Sequence, residues 1–455
     1  MLESYDGRLV VFGCGAVASC FLDMLAGPVG WDPRRLLLVE REDKECGFRH
    51  LVERGAGFRR AEITPENIDA LVRELCEPGD FVVDLTVNVD TVAFLRSCQD
   101  RGVFYLNAAL EQWTDGPGEP GFTAGMTLYD RHRTLARAGF SPDGPSALLD
   151  SGANPGLVSH FVKAALWDLA GRKGLDRDGL GFPELARALG VESIHISEWD
   201  TQEGDFRREP GEFQNTWSVA GLMEEARAPA EMGWGTHEGR FPADGMRHDG
   251  GPGNQIFLER AGCMTAVRSW VPSGPIEGYV IRHGEAYTLS CFLTLEREGR
   301  VVYRPTVHYA YKPCRATRES MAEWIAGGFA APSRQTLLLA QPDRGRDELG
   351  VLLMGEELGA WWYGSLLGIE EARKLMPGHN ATTVQVAAGM LAGLDAVLRE
   401  PRRGVMVPED IDYVRALEVA RPFLGPLVFL ESDWRPEKPR GHAGSRWQFE
   451  NLRIS

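Results

Sequence analysis

Arg8–Ala18, RLVVFGCGAVA, is the stretch on which the fold turns. Arg8–Phe12 is a short apolar run that ends at a glycine, the pattern of a buried strand. Ala16–Leu25 has the small and apolar spacing of a helix. Between them Gly13-Cys14-Gly15-Ala16-Val17-Ala18 reads GxGxxA. In a strand–turn–helix unit Gly13 makes the tight turn and Gly15 lets the backbone approach a pyrophosphate. Ala16 and Val17 open the helix, and Ala18 allows it to pack closely on the strand. The unpaired N–H groups and the dipole at that helix start favour an anion. Glu40 ends the next apolar strand, some twenty-five residues after Gly15. An acid there hydrogen-bonds ribose hydroxyls and repels a 2′-phosphate, so the loop is expected to take NAD rather than NADP. Arg41, beside it, is the opposing signal.

Outward from this loop, strand and helix patterns alternate. Leu36–Val39 is a second strand, Glu66–Leu75 a helix, Phe81–Val87 a strand, Asp90–Asp100 a helix and Phe104–Leu110 a strand. That alternation predicts a parallel sheet covered on both faces, and right-handed crossovers make it doubly wound. Thr86 lies at the carboxyl end of its strand, where ligands meet such a sheet. The pattern then changes. Pro117–Pro120 and Asp143–Pro145 punctuate the chain, and Leu157–Leu169 reads as a helix. Between Cys263 and Tyr311, runs such as MTAVRSW, EGYVIRH, AYTLSCFLTL and VVYRPTVHYAY are rich in β-branched and aromatic residues, with Gly or charged breaks. They predict a mainly antiparallel sheet. Leu349–Met354 and Ala360–Leu367 read as further strands, and Thr382–Leu398 as a long buried helix.

The expected fold class is therefore α/β: an N-terminal Rossmann sheet plus an α+β domain. We expect the first domain over 1–150, completed by a helical segment at about 376–400. The second spans 151–375 and binds substrate, and 401–455 packs on the others.

Composition narrows the function. Of 455 residues 43% are hydrophobic and 25% charged, which excludes a disordered chain. A net charge of −16 argues against nucleic acid and anionic membranes, which need a basic face, and suits small cations. No uninterrupted apolar run approaches the length of a bilayer span, and no leader pattern is read at the N-terminus. Eight cysteines without CxxC pairs read as reduced core residues, so a cytoplasmic location is expected. G-x-S-x-G and HExxH are absent, and no metal is expected.

What remains is acids and aromatics. Ile194–Glu198 alternates like a strand and puts Glu198 and Asp200 on one face. Trp217 and Glu224 are seven apart, the spacing of one helical face, with Glu225 adjoining. His283 and Glu285 would share a strand face. Tryptophan beside carboxylates suits an ammonium ion through Coulomb and cation–π attraction.

Five stretches carry a family resemblance: Gly152–Val158 (GANPGLV), Asn215–Val219 (NTWSV), Glu231–Thr236 (EMGWGT), Tyr303–Thr306 with His308–Tyr311 (YRPT, HYAY) and Asp347–Gly350 (DELG). On them the chain resembles bacterial homospermidine synthase, a member of the saccharopine-dehydrogenase-like group, from Arg8 to the end. The resemblance implies a recycled NAD, putrescine oxidised to an imine, loss of ammonia, and condensation with a second putrescine or spermidine. Reduction by the same NADH then gives homospermidine, with no net redox change. It further implies that Trp217 holds a cationic amine or iminium over its face. Glu111, Glu198 and Asp347 would bind the inner ammonium, and Asn154 would lie near the reacting amine with Pro155 beside it. His283, Glu285 and Glu225 match further site positions. The family commonly forms a homodimer. Asn88 departs from the family pattern, which expects an acid for the outer ammonium; Asp84 or Asp90 are the neighbouring acids. Trp199, beside Glu198, is unusual for the family and would reshape the pocket.

A second reading is an NAD(P)-dependent oxidoreductase that reductively condenses an amine with an aldehyde or keto acid, as saccharopine- and carboxyspermidine-forming relatives do. A keto acid needs Arg or Lys on its carboxylate. The candidate positions are acids, Asn and Trp, which disfavours it.

The loop and its acid yield the first prediction. The purified protein carries bound NAD, and Glu40→Ala weakens NAD binding more than tenfold, about 1.4 kcal/mol. Calorimetric titration of NAD checks it, and equal affinity would remove Glu40 from the ribose site.

Overall fold

Leu9–Phe12 forms the middle strand of a seven-stranded sheet. The spatial order is Val405–Met406, Ala147–Leu148, Phe104–Asn107, Phe81–Asp84, Leu9–Phe12, Leu36–Glu40 and Gly57–Arg60. Every neighbouring pair is parallel. A parallel sheet is covered on both faces, which explains why its central strands are continuous apolar runs. The chain leaves the middle strand for one side and later returns to the other, which makes the switch point where ligands bind such sheets.

The computed structural model describes residues 5–113, 122–437 and 444–454. The Pro117–Pro120 punctuation lies outside them. The chain divides into two units, the first comprising 1–119, 131–157 and 372–423, the second 120–130, 158–371 and 424–455.

In the first unit the helix Ala381–Arg399 packs on the helix Ala16–Ala26 and on the strand Phe104–Asn107. Among the described residues it is the one helix long and apolar enough to cross a membrane, and 83% of that stretch is buried inside the protein. It is a core helix of this unit. Small residues let it lie close. A Cβ on Gly389 would fall 1.9 Å from the Gly152 carbonyl oxygen, and one on Gly393 would fall 2.3 Å from Ser151 Oγ.

The second unit is built on an eleven-stranded sheet. Its main path runs Gly245–Arg247, Gln255–Ala261, Pro229–Gly233, Thr306–Lys312, Ser193–Asp200, Arg346–Gly355, Gly359–Gly368 and Leu427–Ser432. Ala266–Val271, Gly274–Tyr279 and Arg453–Ile454 join beside it. All these pairs are antiparallel except Thr306–Lys312 with Ser193–Asp200. The central strand Ser193–Asp200 is buried on both faces. Ser193, His195 and Ser197 line one face, where His195 Nδ1 lies 3.0 Å from Ser269 Oγ. Ile194, Ile196, Glu198 and Asp200 line the other.

Two details differ from the sequence reading. AYTLSCFLTL is not a strand; Glu285–Phe292 is a helix. A short apolar run fits a buried strand or a buried helix equally, and the acid at its first position favours a helix start. His283 and Glu285 therefore do not share a strand face. Trp199 lies on the face of its strand opposite Glu198 and carries the Lys312 ammonium 3.7 Å from its ring centroid, so it does not shape the Glu198 side.

Gly389→Ala should lower the melting temperature, at a cost of about 1–3 kcal/mol, because backbone rather than a mobile side chain must move. Gly47→Ala, where nothing lies within 4 Å, should change it little. Scanning calorimetry of both variants checks this.

Candidate active site

In the first unit the nucleotide loop is formed as its glycines require. Gly13 has φ +85°, and a Cβ there would fall 2.5 Å from the Leu85 carbonyl oxygen. Gly13 donates its N–H to the Val39 carbonyl at 3.0 Å. Nothing lies within 4 Å of a Cβ placed on Gly15, so the loop is open on that side. Gly15 caps the helix Ala16–Ala26, which among the described residues has no side-chain cap hydrogen bond and no acid in its first turn. The amides at its start fit a pyrophosphate. The buried Glu40 carboxylate accepts the Cys14 N–H at 2.8 Å and the Glu42 N–H at 3.1 Å, with Lys44 Nζ at 3.5 Å. Burial pushes its pKa up, but the two amides and the ammonium outweigh that and hold it below the usual carboxylate range. Glu40 thus braces the loop, a role that spacing alone does not reveal. Thr86 donates its hydroxyl to Asp84 Oδ1 at 2.6 Å, and Tyr105 donates to Asp84 Oδ2 at 2.6 Å. Asp90 accepts the Ala93 N–H at 2.8 Å as the cap of its helix. Both acids near Asn88 are therefore engaged in the fold. Asn88 itself is exposed, at φ 63°.

Glu111 and Asn154 stand in the segments that follow two neighbouring strands, Phe104–Asn107 and Ala147–Leu148, and those segments are stitched to each other. Asn107 Oδ1 accepts the Asp150 N–H at 2.9 Å, and Asp150 Oδ1 accepts the Leu110 N–H at 3.0 Å. Glu111 donates its N–H to Thr91 Oγ1 at 2.9 Å, and its carbonyl accepts the Thr91 N–H at 3.1 Å. The GANPG loop closes by Gly152 N–H to Pro155 O at 2.7 Å and Leu157 N–H to Gly152 O at 3.0 Å. Gly156 has φ 128°, and a Cβ there would strike Gly152 O at 2.2 Å. The loop so held presents Asn154 and Pro155, both half-buried. Asn107, Asp150 and Thr91 escape a sequence reading, since nothing distinguishes them from other polar residues at strand ends.

In the second unit the acids gather on one face of the sheet. Glu198 is paired with Tyr311 and Leu349 on its two neighbouring strands, and Asp347 lies directly opposite Asp200. Glu198, Asp200 and Asp347 are all buried. Tyr309 donates its hydroxyl to Glu198 Oε2 at 2.6 Å. Asp200 accepts from the Gln202 N–H and the Thr216 hydroxyl, each at 2.8 Å. Its pKa is pushed up by burial to about 6, against the pull of these donors. Burial and the surrounding carboxylates push Tyr309 and Tyr311 well above the usual phenol range, so both stay protonated.

Trp217 donates its indole N–H to the Tyr311 hydroxyl oxygen at 3.3 Å. It precedes Ser218, the cap of the helix Val219–Arg227, and is thus outside that helix. The seven-residue spacing to Glu224 is not a helical face; Glu224 is ion-paired with the buried Arg282 guanidinium. Glu225 is half-buried on the helix. The His283 ring meets the Tyr309 ring edge-on, 4.3 Å between centroids, and Glu285 opens the next helix. The structure thus draws Glu198, Asp347, Trp217 and His283 around Tyr309 and Tyr311. Glu111, Asn154, Pro155 and Asn88 belong to the first unit. Among the described residues no group of three or more His, Cys, Asp or Glu is placed to hold a metal.

The model for the saccharopine dehydrogenase NADP binding domain matches residues 9–138, and that for the saccharopine dehydrogenase C-terminal domain matches 152–428. A homospermidine synthase of Blastochloris viridis is 36% identical over 468 residues, covering 99% of this chain and 98% of its own. One from Mesorhizobium japonicum is 36% identical over 472 residues, covering 98% and 96%. The chain belongs to the homospermidine synthase family. The crystal structure of a member from Legionella pneumophila, in complex with NAD, superposes with a TM-score of 0.90 at 36% identity, covering 99% of this chain and 98% of that one. The two domain models place the family inside the saccharopine-dehydrogenase-like group. The first of these models is for an NADP binding domain, whereas that family member holds NAD.

Within this family Asn88 is the position to test. Its left-handed backbone suits Asn and Asp alike, so Asn88→Asp adds a charge without displacing the chain. The raw attraction of a carboxylate for an ammonium at about 4 Å is roughly 4 kcal/mol at an effective dielectric near 20, partly cancelled by desolvation. Asn88→Asp should lower KM for diamines and leave monoamines unaffected. Steady-state assays of both amine classes decide it, and no change in either would take position 88 away from the outer amine.

Proposed function

We propose that the chain is an NAD-dependent homospermidine synthase, an aminobutyl transferase acting on putrescine. NAD, when bound, takes hydride from the amine-bearing carbon and later returns it to the new imine, which leaves no net redox change. The Gly13–Ala18 loop, with Thr86 nearby, holds the cofactor, and Glu40 selects the form without a 2′-phosphate. Glu198, Asp347 and Glu111 hold the inner ammonium. Asn154, with Pro155, hydrogen-bonds the reacting nitrogen as a neutral amide. It therefore does not stabilise the protonated amine, which has no lone pair to expel hydride. Oxidation leaves an iminium. The second amine adds to its carbon, ammonia leaves, and the new carbon–nitrogen double bond accepts hydride. Trp217 lays its face against these planar cations. His283, Glu285 and Glu225 complete the polar lining, and Asn88 meets the second amine's far end. The same reading has a cytoplasmic homodimer acting on small cationic amines rather than on nucleic acid or membrane.

One observation carries this reading: a wall of buried carboxylates fastened by phenols to a tryptophan. Such a wall disfavours anionic partners and attracts alkylammonium ions. Arg282, a buried cation of the second unit, is ion-paired with Glu224 and so is engaged in the fold, whereas the second reading needs a cation that clamps a keto acid. The test is to incubate the protein with putrescine and NAD. Homospermidine and ammonia should form without accumulation of NADH; steady NADH release without homospermidine would overturn the proposal. Trp217→Ala should lose most turnover and keep NAD binding, since an aromatic face contributes about 2 kcal/mol or more to a desolvated cation. Trp217→Phe should retain more activity than Trp217→Leu, and equal activity would make the residue packing only.

A further inference from the structure

Tyr309 and Tyr311 are two apart on one strand and face the same side. Their rings stack face to face, 5.0 Å between centroids at 7°. Each hydroxyl is joined to a different member of the acid–aromatic wall. Tyr309 donates to Glu198 Oε2 at 2.6 Å, and Tyr311 accepts the Trp217 indole N–H at 3.3 Å. Trp217 is fixed at its backbone too. Asn215 Nδ2 donates to the Trp217 carbonyl at 3.3 Å, and Thr216 donates to Asp200 at 2.8 Å. We infer that Tyr309 and Tyr311 are positioning residues for the reaction, one orienting the Glu198 carboxylate and the other the plane of Trp217, with the stacked rings keeping the two in register. This rests on the reading of Glu198 and Trp217 given above.

The physical reason is directional. A tryptophan can rotate about its side-chain bonds and still fill the same volume, but only one setting presents its face to a planar cation. A hydrogen bond from the indole N–H selects that setting. A carboxylate likewise needs one oxygen aimed at the ammonium, and the phenol holds the other. Among the described groups near Glu198 are Tyr309 and Tyr311 from the strand Thr306–Lys312, Asp200 on its own strand and Asp347 from the strand Arg346–Gly355; His283 rests on Tyr309. Two neighbouring carboxylates favour protonation of Glu198, and the phenol donor opposes them by stabilising the ionised form.

The experiment compares wild type, Tyr309→Phe, Tyr311→Phe, Glu198→Gln and the double variant Glu198→Gln/Tyr309→Phe, as full-length enzyme loaded with NAD. Homospermidine formation from putrescine is followed from about pH 6 to 10. Removing the Tyr309 hydroxyl takes a hydrogen-bond donor from the Glu198 carboxylate, so the acid limb of kcat/KM should move up by about one pH unit. Tyr311→Phe should leave that limb in place and lower kcat about tenfold, with KM within about twofold. In the Glu198→Gln background Tyr309→Phe should shift nothing further. An unmoved limb in Tyr309→Phe, a shift that persists in the Glu198→Gln background, or wild-type kcat in Tyr311→Phe overturns the inference. So does a Tyr309→Phe protein that melts far below wild type, since the hydroxyl would then serve the fold. Calorimetric binding of putrescine carries the same limb and is read without turnover. A wild type that binds putrescine but makes no homospermidine therefore removes the proposed reaction and still tests the tyrosines.

Discussion

Burying carboxylates is the constraint around which this molecule is built. An ionised carboxylate loses several kcal/mol of hydration when it is taken out of water, and side by side such groups also repel. The second unit places Glu198, Asp200 and Asp347 on one face of a sheet, at adjacent or opposed positions. That arrangement persists because donors are supplied locally: the Tyr309 phenol to Glu198, and the Thr216 hydroxyl and Gln202 amide to Asp200. Those donors sit on other strands or loops, so the charges dictate which neighbours can pack. They leave a face that a cation relieves, and in the proposed reaction that cation is the substrate.

The first unit repeats the device for a different end. Glu40, Asp84 and Asp150 all lie at carboxyl ends of parallel strands, and each is held by backbone amides or hydroxyls. Glu40 ties the nucleotide loop to the second strand through Cys14. Asp150 ties the segment leading to Glu111 to the GANPG loop, on which the helix Ala381–Arg399 packs closely at Gly389. Asn88 is exposed in a left-handed conformation, and the neighbouring acids Asp84 and Asp90 are engaged in the fold.

Much of this was legible in the residues. The GxGxxA loop, its strand, its helix and Glu40 declare themselves because a phosphate-binding turn permits few residue types at each position. The antiparallel character of the second sheet showed in its β-branched runs. Three local features differ from what the sequence predicts: Glu285–Phe292 is a helix rather than a strand, Trp217 and Glu224 do not share a helical face, and Trp199 lies on the strand face opposite Glu198. All three turn on where an element begins or which side it shows, and periodicity over a few residues does not decide that.

The sequence by itself determined the fold class, the glycine turn between the first strand and its helix, and the family, because these depend on contiguous motifs and on residue types that tolerate little substitution. Only the tertiary structure decided what surrounds each acid. That Tyr309 serves Glu198, that Tyr311 serves Trp217, that Arg282 occupies Glu224 and that Asp84 and Asp90 are engaged in the fold are all contacts between groups apart in the chain or outside any motif. The physical reason is that a carboxylate in a sequence carries the same symbol whether it caps a helix, pairs with a guanidinium or waits for an ammonium. Its role is set by the donors that packing brings within hydrogen-bonding distance.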